Sequence, residues 1–294
     1  MSEKNKSKLK KQLISLSIKE YLSTPELDRS LGTISGKYGL NRKTLKKYLV
    51  EEGYEIPQSG AACNFCYDKF DTIDTEEKAY WLGFMYADGY VNATGNKFGI
   101  NLALKDISHL EKFNKFLNYP KGLNISKSHQ FGSKSNLNAK GEEMYMVSTV
   151  IGNKHMREAL IANGCVPNKS LILKFPSEEI VPKKLQRHFI RGYFDGDGSL
   201  GIYPHSKTNP NLEESLLIVG TKAFLEKVQE ILGKGFLMHK SNCSEYTYRL
   251  GYSTRKANNA AKIMYDDSTI YLERKYNIYK QFCAAVKSGK IGEP

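Results

Sequence analysis

The sequence predicts an α+β fold in which one helix–strand–strand–helix–strand–strand–helix unit occurs twice, preceded by a small all-α module. Three observations predict it. A glycine-spaced apolar segment ending in Asp-Gly occurs at Tyr80–Gly89 and again at Phe189–Gly198, with the two terminal acids 109 positions apart. Each copy is followed by the same succession of strand-period and helix-period segments. Ahead of both, residues 1–57 show helical spacing alone.

In the N-terminal module, Lys8 to Leu22 carries Leu9, Leu13, Leu16 and Ile18 at loosely helical spacing, and Ser23-Thr24-Pro25 stops that helix. Pro25 suits the first turn of a second helix with Thr24 as its cap, holding Leu27, Leu31, Ile34 and Tyr38. Gly39 suits a left-handed turn, and Asn41 is placed to cap a basic third helix, Arg42 to Glu52, with Leu45, Tyr48 and Leu49 on one face. This resembles a helix-turn-helix of the DNA-binding kind, which would turn Arg42, Lys43, Lys46 and Lys47 toward phosphates or base edges. A helical bundle with a solvated basic face is the other reading. Residues 58–69 read as a linker; Cys63 and Cys66 within it lack the second pair that a zinc site needs.

The first repeat, 70–176, continues with a half-buried strand from Lys97 to Lys105, in which Phe98, Ile100, Leu102 and Leu104 alternate with smaller or polar residues. A helix from Ile107 to Leu117, a loop from Lys127 to Lys140, a strand from Met144 to Val150 and a helix from Lys154 to Asn163 follow. The second repeat, 177–294, matches it with a strand near Tyr203, a strand at Leu216–Val219 and a helix at Lys222–Leu232. A shorter loop near Gly235–Ser244, a strand at Tyr246–Ser253 and a helix at Lys256–Tyr265 complete the match.

Composition narrows the partners. The 294 residues carry a formal charge of +13, which points to a polyanion such as nucleic acid. The excess is spread over the chain, since residues 1–60 hold 12 Lys/Arg against 7 Asp/Glu. Nothing approaches the roughly 20 apolar residues of a membrane span, and the polar, basic start is no secretory signal. Five cysteines, an odd number, suit a reducing compartment, so a cytoplasmic protein is expected.

The chemistry sits at the repeated motif. Gly83 and Ala87 are four apart, as are Gly192 and Gly196, so each motif helix has a small-residue face on which two backbones can approach. Trp81, Leu82, Phe84, Met85, Ile190, Tyr193 and Phe194 are left to pack on either side. Side-by-side helices would bring Asp88 and Asp197 together at their C-terminal tips, where two carboxylates repel unless a cation lies between them. Oxygen ligands select Mg²⁺ or a similar hard ion such as Mn²⁺. A lone Asp-Gly is most often a turn; two copies in matching surroundings are not.

The stretches Trp81-Leu-Gly-Phe-Met-Tyr-Ala-Asp-Gly89 and Ile190-Arg-Gly-Tyr-Phe-Asp-Gly-Asp-Gly198 resemble the paired motifs of LAGLIDADG homing endonucleases. Their flanks, Phe70–Tyr80 and Gly164–Ser170, resemble the family's lead-ins, and the resemblance covers about residues 70 to 283. It implies a monomer of two αββαββα halves whose sheets saddle DNA, encoded by a mobile element and serving intron homing. By position it makes Asp88 and Asp197 the metal ligands, with backbone carbonyls near Gly89 or Gly198 as further candidates. It also implies one basic residue per half near the scissile phosphates. The matching positions are Lys169 and Lys275, respectively 81 and 78 positions after their acids. The sixth motif position departs from symmetry: it is Tyr86 in one copy and Asp195 in the other, so Asp195 is expected to cap or bind water rather than ligate.

On this reading the exposed sheet faces recognise bases in the major groove, with Asn96, Lys97, Asn101, Lys105, His205, Lys207, Arg249 and Tyr252 as candidates. The halves differ at these positions, so a long asymmetric duplex target is expected. Two alternatives stand beside the nuclease. A non-cleaving DNA-binding regulator would be expected to lose the motif acids, and an RNA maturase assisting intron splicing could keep them. No intein splicing blocks are present, and the chain reads as freestanding.

Overall fold

A computed structural model describes residues 3–24, 31–54, 65–128, 143–204, 212–239 and 245–287. The chain divides into two compact units, Met1–Asn64 and Phe65–Pro294. The division falls inside the segment expected as a linker. Of that segment, 65–69 already belongs to the larger unit, where the Cys66 amide donates to Leu117; Cys63 and the rest lie outside the described residues.

The smaller unit holds α1 (Glu3–Ser23), α2 (Leu31–Lys37) and α3 (Arg42–Glu51). Its core joins Ile14, Ile18 and Tyr21 of α1 to Ile34, Leu45 and Leu49. The buried stripe of α1 is therefore 14, 17, 18 and 21, the i, i+3, i+4, i+7 face. It is not the face through Leu16, which is 52% exposed. Gly39 has φ +62°, and the Asn41 side chain caps α3 by accepting from the Lys43 amide at 2.8 Å. The Thr24 hydroxyl donates back to Glu20 of α1 at 2.7 Å; the helix start expected at Pro25 lies outside the described residues.

The larger unit is a duplicated αββαββα fold, as expected. Its first half runs α4 (Glu76–Ala87), β1 (Gly89–Val91), β2 (Lys97–Ala103), α5 (Ile107–Phe116), β3 (Asn124–Lys127), β4 (Tyr145–Gly152) and α6 (Lys154–Ala162). The second runs α7 (Lys183–Asp197), β5 (Gly198–Pro204), β6 (Leu212–Gly220), α8 (Lys222–Leu232), β7 (Phe236–His239), β8 (Tyr248–Ser253) and α9 (Thr254–Tyr265), followed by α10 (Glu273–Lys287). The two antiparallel sheets have equivalent orders, β1-β2-β4-β3 and β5-β6-β8-β7. Alternation sets their faces: Phe98, Ile100 and Leu102 enter the core while Lys97, Asn101 and Ala103 face outward.

Five elements differ from expectation. β1 and β5 start directly on Gly89 and Gly198, so each acid stands where a helix turns into a strand. β7 occupies part of the segment expected as the Gly235–Ser244 loop, and β3 precedes the Lys127–Lys140 loop, most of which lies outside the described residues. α10 was not anticipated at all, and it carries Lys275. Among the described residues, no helix is long and apolar enough to cross a membrane.

Candidate active site

α4 and α7 cross at backbone contact. A Cβ added to Gly83 would lie 2.0 Å from the Phe189 carbonyl oxygen, and one on Gly192 would lie 1.9 Å from that of Tyr80. A Cβ on Gly196 would meet the Ala87 methyl at 2.4 Å and an Asp88 carboxylate oxygen at 3.2 Å. Gly83, Ala87, Gly192 and Gly196 thus all stand at the crossing. Trp81, Leu82, Phe84, Met85, Ile190, Tyr193 and Phe194 are buried around it.

Two polar ties reinforce the joint. Arg191 is fully buried, and its guanidinium donates to Glu76 at 2.7 Å, to Met264 O at 2.7 Å and to Ile270 O at 2.8 Å. Burial alone would raise the Glu76 carboxyl. The Thr269 amide and the Arg191 charge outweigh it and hold that carboxyl below its ordinary value. The second tie is Asp195, which is also fully buried and accepts from the Tyr80 hydroxyl of α4 at 2.8 Å. It is a structural hub that also holds the start of α10, accepting from the Leu272 amide at 2.7 Å.

At the C-terminal tips, Asp88 closes α4 and Asp197 is the last residue of α7. Burial, then the neighbouring Asp197 charge, pushes the Asp88 carboxyl up to about 6, against the opposing pull of Lys275 and Lys169. The Asp197 residue presents an exposed edge, yet crowding by protein raises its carboxyl as well, again opposed by Lys169 and Lys275. The tools of charge compensation are therefore two acids and two lysines in one place.

The lysines are placed equivalently. Lys169 lies in a short 3-10 turn (Lys169–Leu171) and donates its ammonium to the Gly89 carbonyl. Lys275 lies in the first turn of α10 and donates to Gly198 O at 2.6 Å, Phe194 O at 2.5 Å and Asp195 O at 2.8 Å. Lys275 thus caps the carbonyl end of α7, where a cation is favoured, and Lys169 binds the first residue beyond the end of α4. Both are buried. Desolvation lowers Lys275 to about 8, with the Asp195 charge opposing. The carbonyls of Gly89 and Gly198, candidates as metal ligands, instead face these ammonium groups.

Divalent metal fits the remaining donors. The structure gives no protein hydrogen bond to either the Asp88 or the Asp197 carboxylate among the described residues. No group of three or more His, Cys, Asp or Glu side chains gathers there or elsewhere among them. A pair of hard oxygen ligands suits Mg²⁺, which keeps water and phosphate in its shell and is seldom held by a closed protein cage.

The candidate DNA contacts divide. Arg42, Lys43, Lys46 and Lys47 are exposed on α3, with Lys47 paired to Glu51 at 3.5 Å. Lys97 and Asn101 are exposed on the outer face of β2; Asn96 and Lys105 are exposed at its two ends, outside the strand. Arg249 faces outward on β8, between Met238 and Val219 in register, and its Nε is buried with no hydrogen-bond partner among the described residues. Tyr252 is a correction: strand alternation turns it inward, where it is buried and donates to Gly233 O at 2.8 Å. His205 and Lys207 lie outside the described residues. Sequence reasoning missed Glu76, Tyr80, Tyr265 and Arg191; the one available signal was a charged residue, Arg191, inside an apolar motif helix.

The class defined by this fold and site is a two-half αββαββα protein with paired acids and paired lysines at its joint. No family model and no curated protein matches the chain. Among solved structures it is similar to the LAGLIDADG homing endonuclease I-LtrWI bound to target DNA, at 13% identity and TM-score 0.45, over 74% of this chain and 94% of that one. It is also similar to I-GzeII in complex with a DNA target, at 12% identity and TM-score 0.47, over 71% and 91%. A third is I-SmaMI bound to uncleaved DNA in the presence of calcium, at 14% identity and TM-score 0.45, over 74% and 93%.

Proposed function

We propose that this chain is a site-specific homing endonuclease of the LAGLIDADG kind, hydrolysing a phosphodiester bond on each strand of duplex DNA. The carrying observation is the placement of the two acids. Asp88 and Asp197 meet at the tips of helices in backbone contact, each served by a lysine bound to the following glycine.

Hydrolysis needs an attacking water, relief of charge on phosphate and a protonated leaving oxygen. Bound between Asp88 and Asp197, Mg²⁺ or Mn²⁺ would supply Lewis-acid charge to the phosphate and lower the pKa of water. The two carboxylates would hold that ion where the two halves meet. Lys169 and Lys275 have ammonium groups beside the acids and would stabilise the developing negative charge. The buried placement of the two lysines strengthens their interactions. The outer faces of the two sheets would read the major groove. The first offers Lys97 and Asn101, the second Arg249 amid apolar Phe236 and Met238, which suits an asymmetric site. The helical module, with four exposed cations on α3, would add contacts through the backbone, and the protein would act as a monomer.

The test is cleavage of a library of long duplexes with Mg²⁺. Recovered ends that share one long sequence support the nuclease. Sequence-specific binding without cutting in Mg²⁺ or Mn²⁺ would favour a regulator, and stimulation of intron splicing would favour a maturase.

A further inference from the structure

Asp195 has no part in the mechanism above, yet it is fully buried and engages three donors. These are the Tyr80 hydroxyl at 2.8 Å, the Tyr265 hydroxyl at 2.5 Å and the Leu272 amide at 2.7 Å. Leu272 is where α10 begins. Its carbonyl accepts from the amides of Lys275 and Tyr276, both at 3.0 Å. One carboxylate therefore fixes the turn from which Lys275 springs, while the Lys275 ammonium reaches back to the end of α7. The same turn is tied to the first half, through Arg274 to Asp106 at 3.1 Å and Glu273 to Lys112 at 2.8 Å.

The chain of bonds continues upstream. His109 Nε2 lies 3.0 Å from the Tyr80 oxygen. Burial pushes His109 down to about 3, so the ring is neutral. Since Tyr80 donates to Asp195, the ring donates through Nε2. A directed series, His109 to Tyr80 to Asp195, thus runs from the first half to the lysine turn of the second.

The first half has a counterpart at the same motif position. The Tyr86 hydroxyl donates to Asn163 O at 2.5 Å, at the end of α6 and ahead of Lys169. Asn163 follows Tyr86 by 77 positions, and Leu272 follows Asp195 by 77. The two side chains differ in kind and agree in target: each grips the segment that delivers the lysine of its own half.

We infer that the sixth residue of each motif is a positioning residue for that lysine, Asp195 for Lys275 and Tyr86 for Lys169, so that the two strands are served by separately held sites. The strand consequence rests on the nuclease reading; the positioning does not. A residue that merely joined the halves would affect both lysines and both strands alike.

Two measurements test this. First, the full chain without DNA is pulsed with acetic anhydride, and acetylation of Lys275 and Lys169 is compared by mass spectrometry. Asp195→Asn should raise the Lys275 rate about tenfold, the equivalent of one charge-assisted hydrogen bond, and leave Lys169 unchanged. Tyr265→Phe, which removes one bond of the three, should shift Lys275 in the same direction by less and serves if Asp195→Asn does not fold. An unchanged ratio of the two lysines in a folded variant overturns the inference. Second, on supercoiled plasmid carrying the target, Asp195→Asn should accumulate nicked circles with the same strand intact as Lys275→Met leaves, and Tyr86→Phe should leave the other strand intact. Equal slowing of both strands also overturns it. If the wild type cuts no DNA, the nuclease reading falls while acetylation still decides the positioning.

Discussion

Gly192 lies so close to Tyr80 that a Cβ built on it would sit 1.9 Å from the Tyr80 carbonyl oxygen. The opposite approach, Gly83 on the Phe189 carbonyl, is equally tight at 2.0 Å. Backbone cannot yield to a methyl group as a flexible side chain can. Gly192→Ala should therefore cost about 3 kcal/mol or more by overpacking, read from urea unfolding. Gly152→Ala, where nothing lies within 4 Å, is the control and should change stability little.

Arg191 joins Glu76 to two carbonyls in a fully buried site. Replacing it with Met leaves a partly buried carboxylate and two carbonyls without their donor. The expected loss is about 3–5 kcal/mol, the usual cost of breaking a buried pair from one side. Unfolding within about 0.5 kcal/mol of wild type would show that the surroundings close over the gap.

The Asp88 carboxyl is raised from 3.8 to about 6 by burial and by Asp197, with Lys275, Lys169 and Arg274 opposing. A raised acid binds its proton more tightly when folded. Its contribution to stability is complete below about pH 4 and is lost as pH rises through about 6. Without divalent metal, Asp88→Asn should therefore gain on the wild type in Tm between pH 4 and 7. Adding Mg²⁺ at pH 7 should close that gap by stabilising the wild type only. A Tm difference that stays constant with pH would contradict the cause assigned to the shift.

Arg249 and Tyr252 lie three positions apart on β8 but on opposite faces. Arg249→Ala should weaken binding to the cognate duplex by about 1–3 kcal/mol, whereas Tyr252→Phe should leave affinity unchanged and cost some stability instead. Fluorescence anisotropy in Ca²⁺ at fixed salt separates the two.

Much of the joint was legible in the sequence because spacing alone encodes it. Small residues four apart define a helical face, and a duplicated Asp-Gly places two acids at equivalent tips. Three of the expected strands, β1, β3 and β7, have three or four residues each, too short for alternation to show where they lie. They exist because each pairs with a longer neighbour, such as β7 with β8 from Phe236–Gly251 to His239–Tyr248. Tyr252 was misassigned because a tyrosine within a strand fits either face; register decides, and register is tertiary. Asp195 was underread for a similar reason. Its partners Tyr80, Tyr265 and Leu272 are separated from it by 115, 70 and 77 positions, and no local pattern links them.

On the proposed nuclease reading, Asp88 and Asp197 jointly hold the metal for cutting both strands. The direct measurement is single-turnover cleavage of a selected target by wild type, Asp88→Asn and Asp197→Asn in Mg²⁺, with binding measured in Ca²⁺. Each single substitution should reduce cleavage of both strands by about 100-fold or more while the duplex is still bound. Cleavage of both strands at wild-type rates by either variant would contradict a shared metal site.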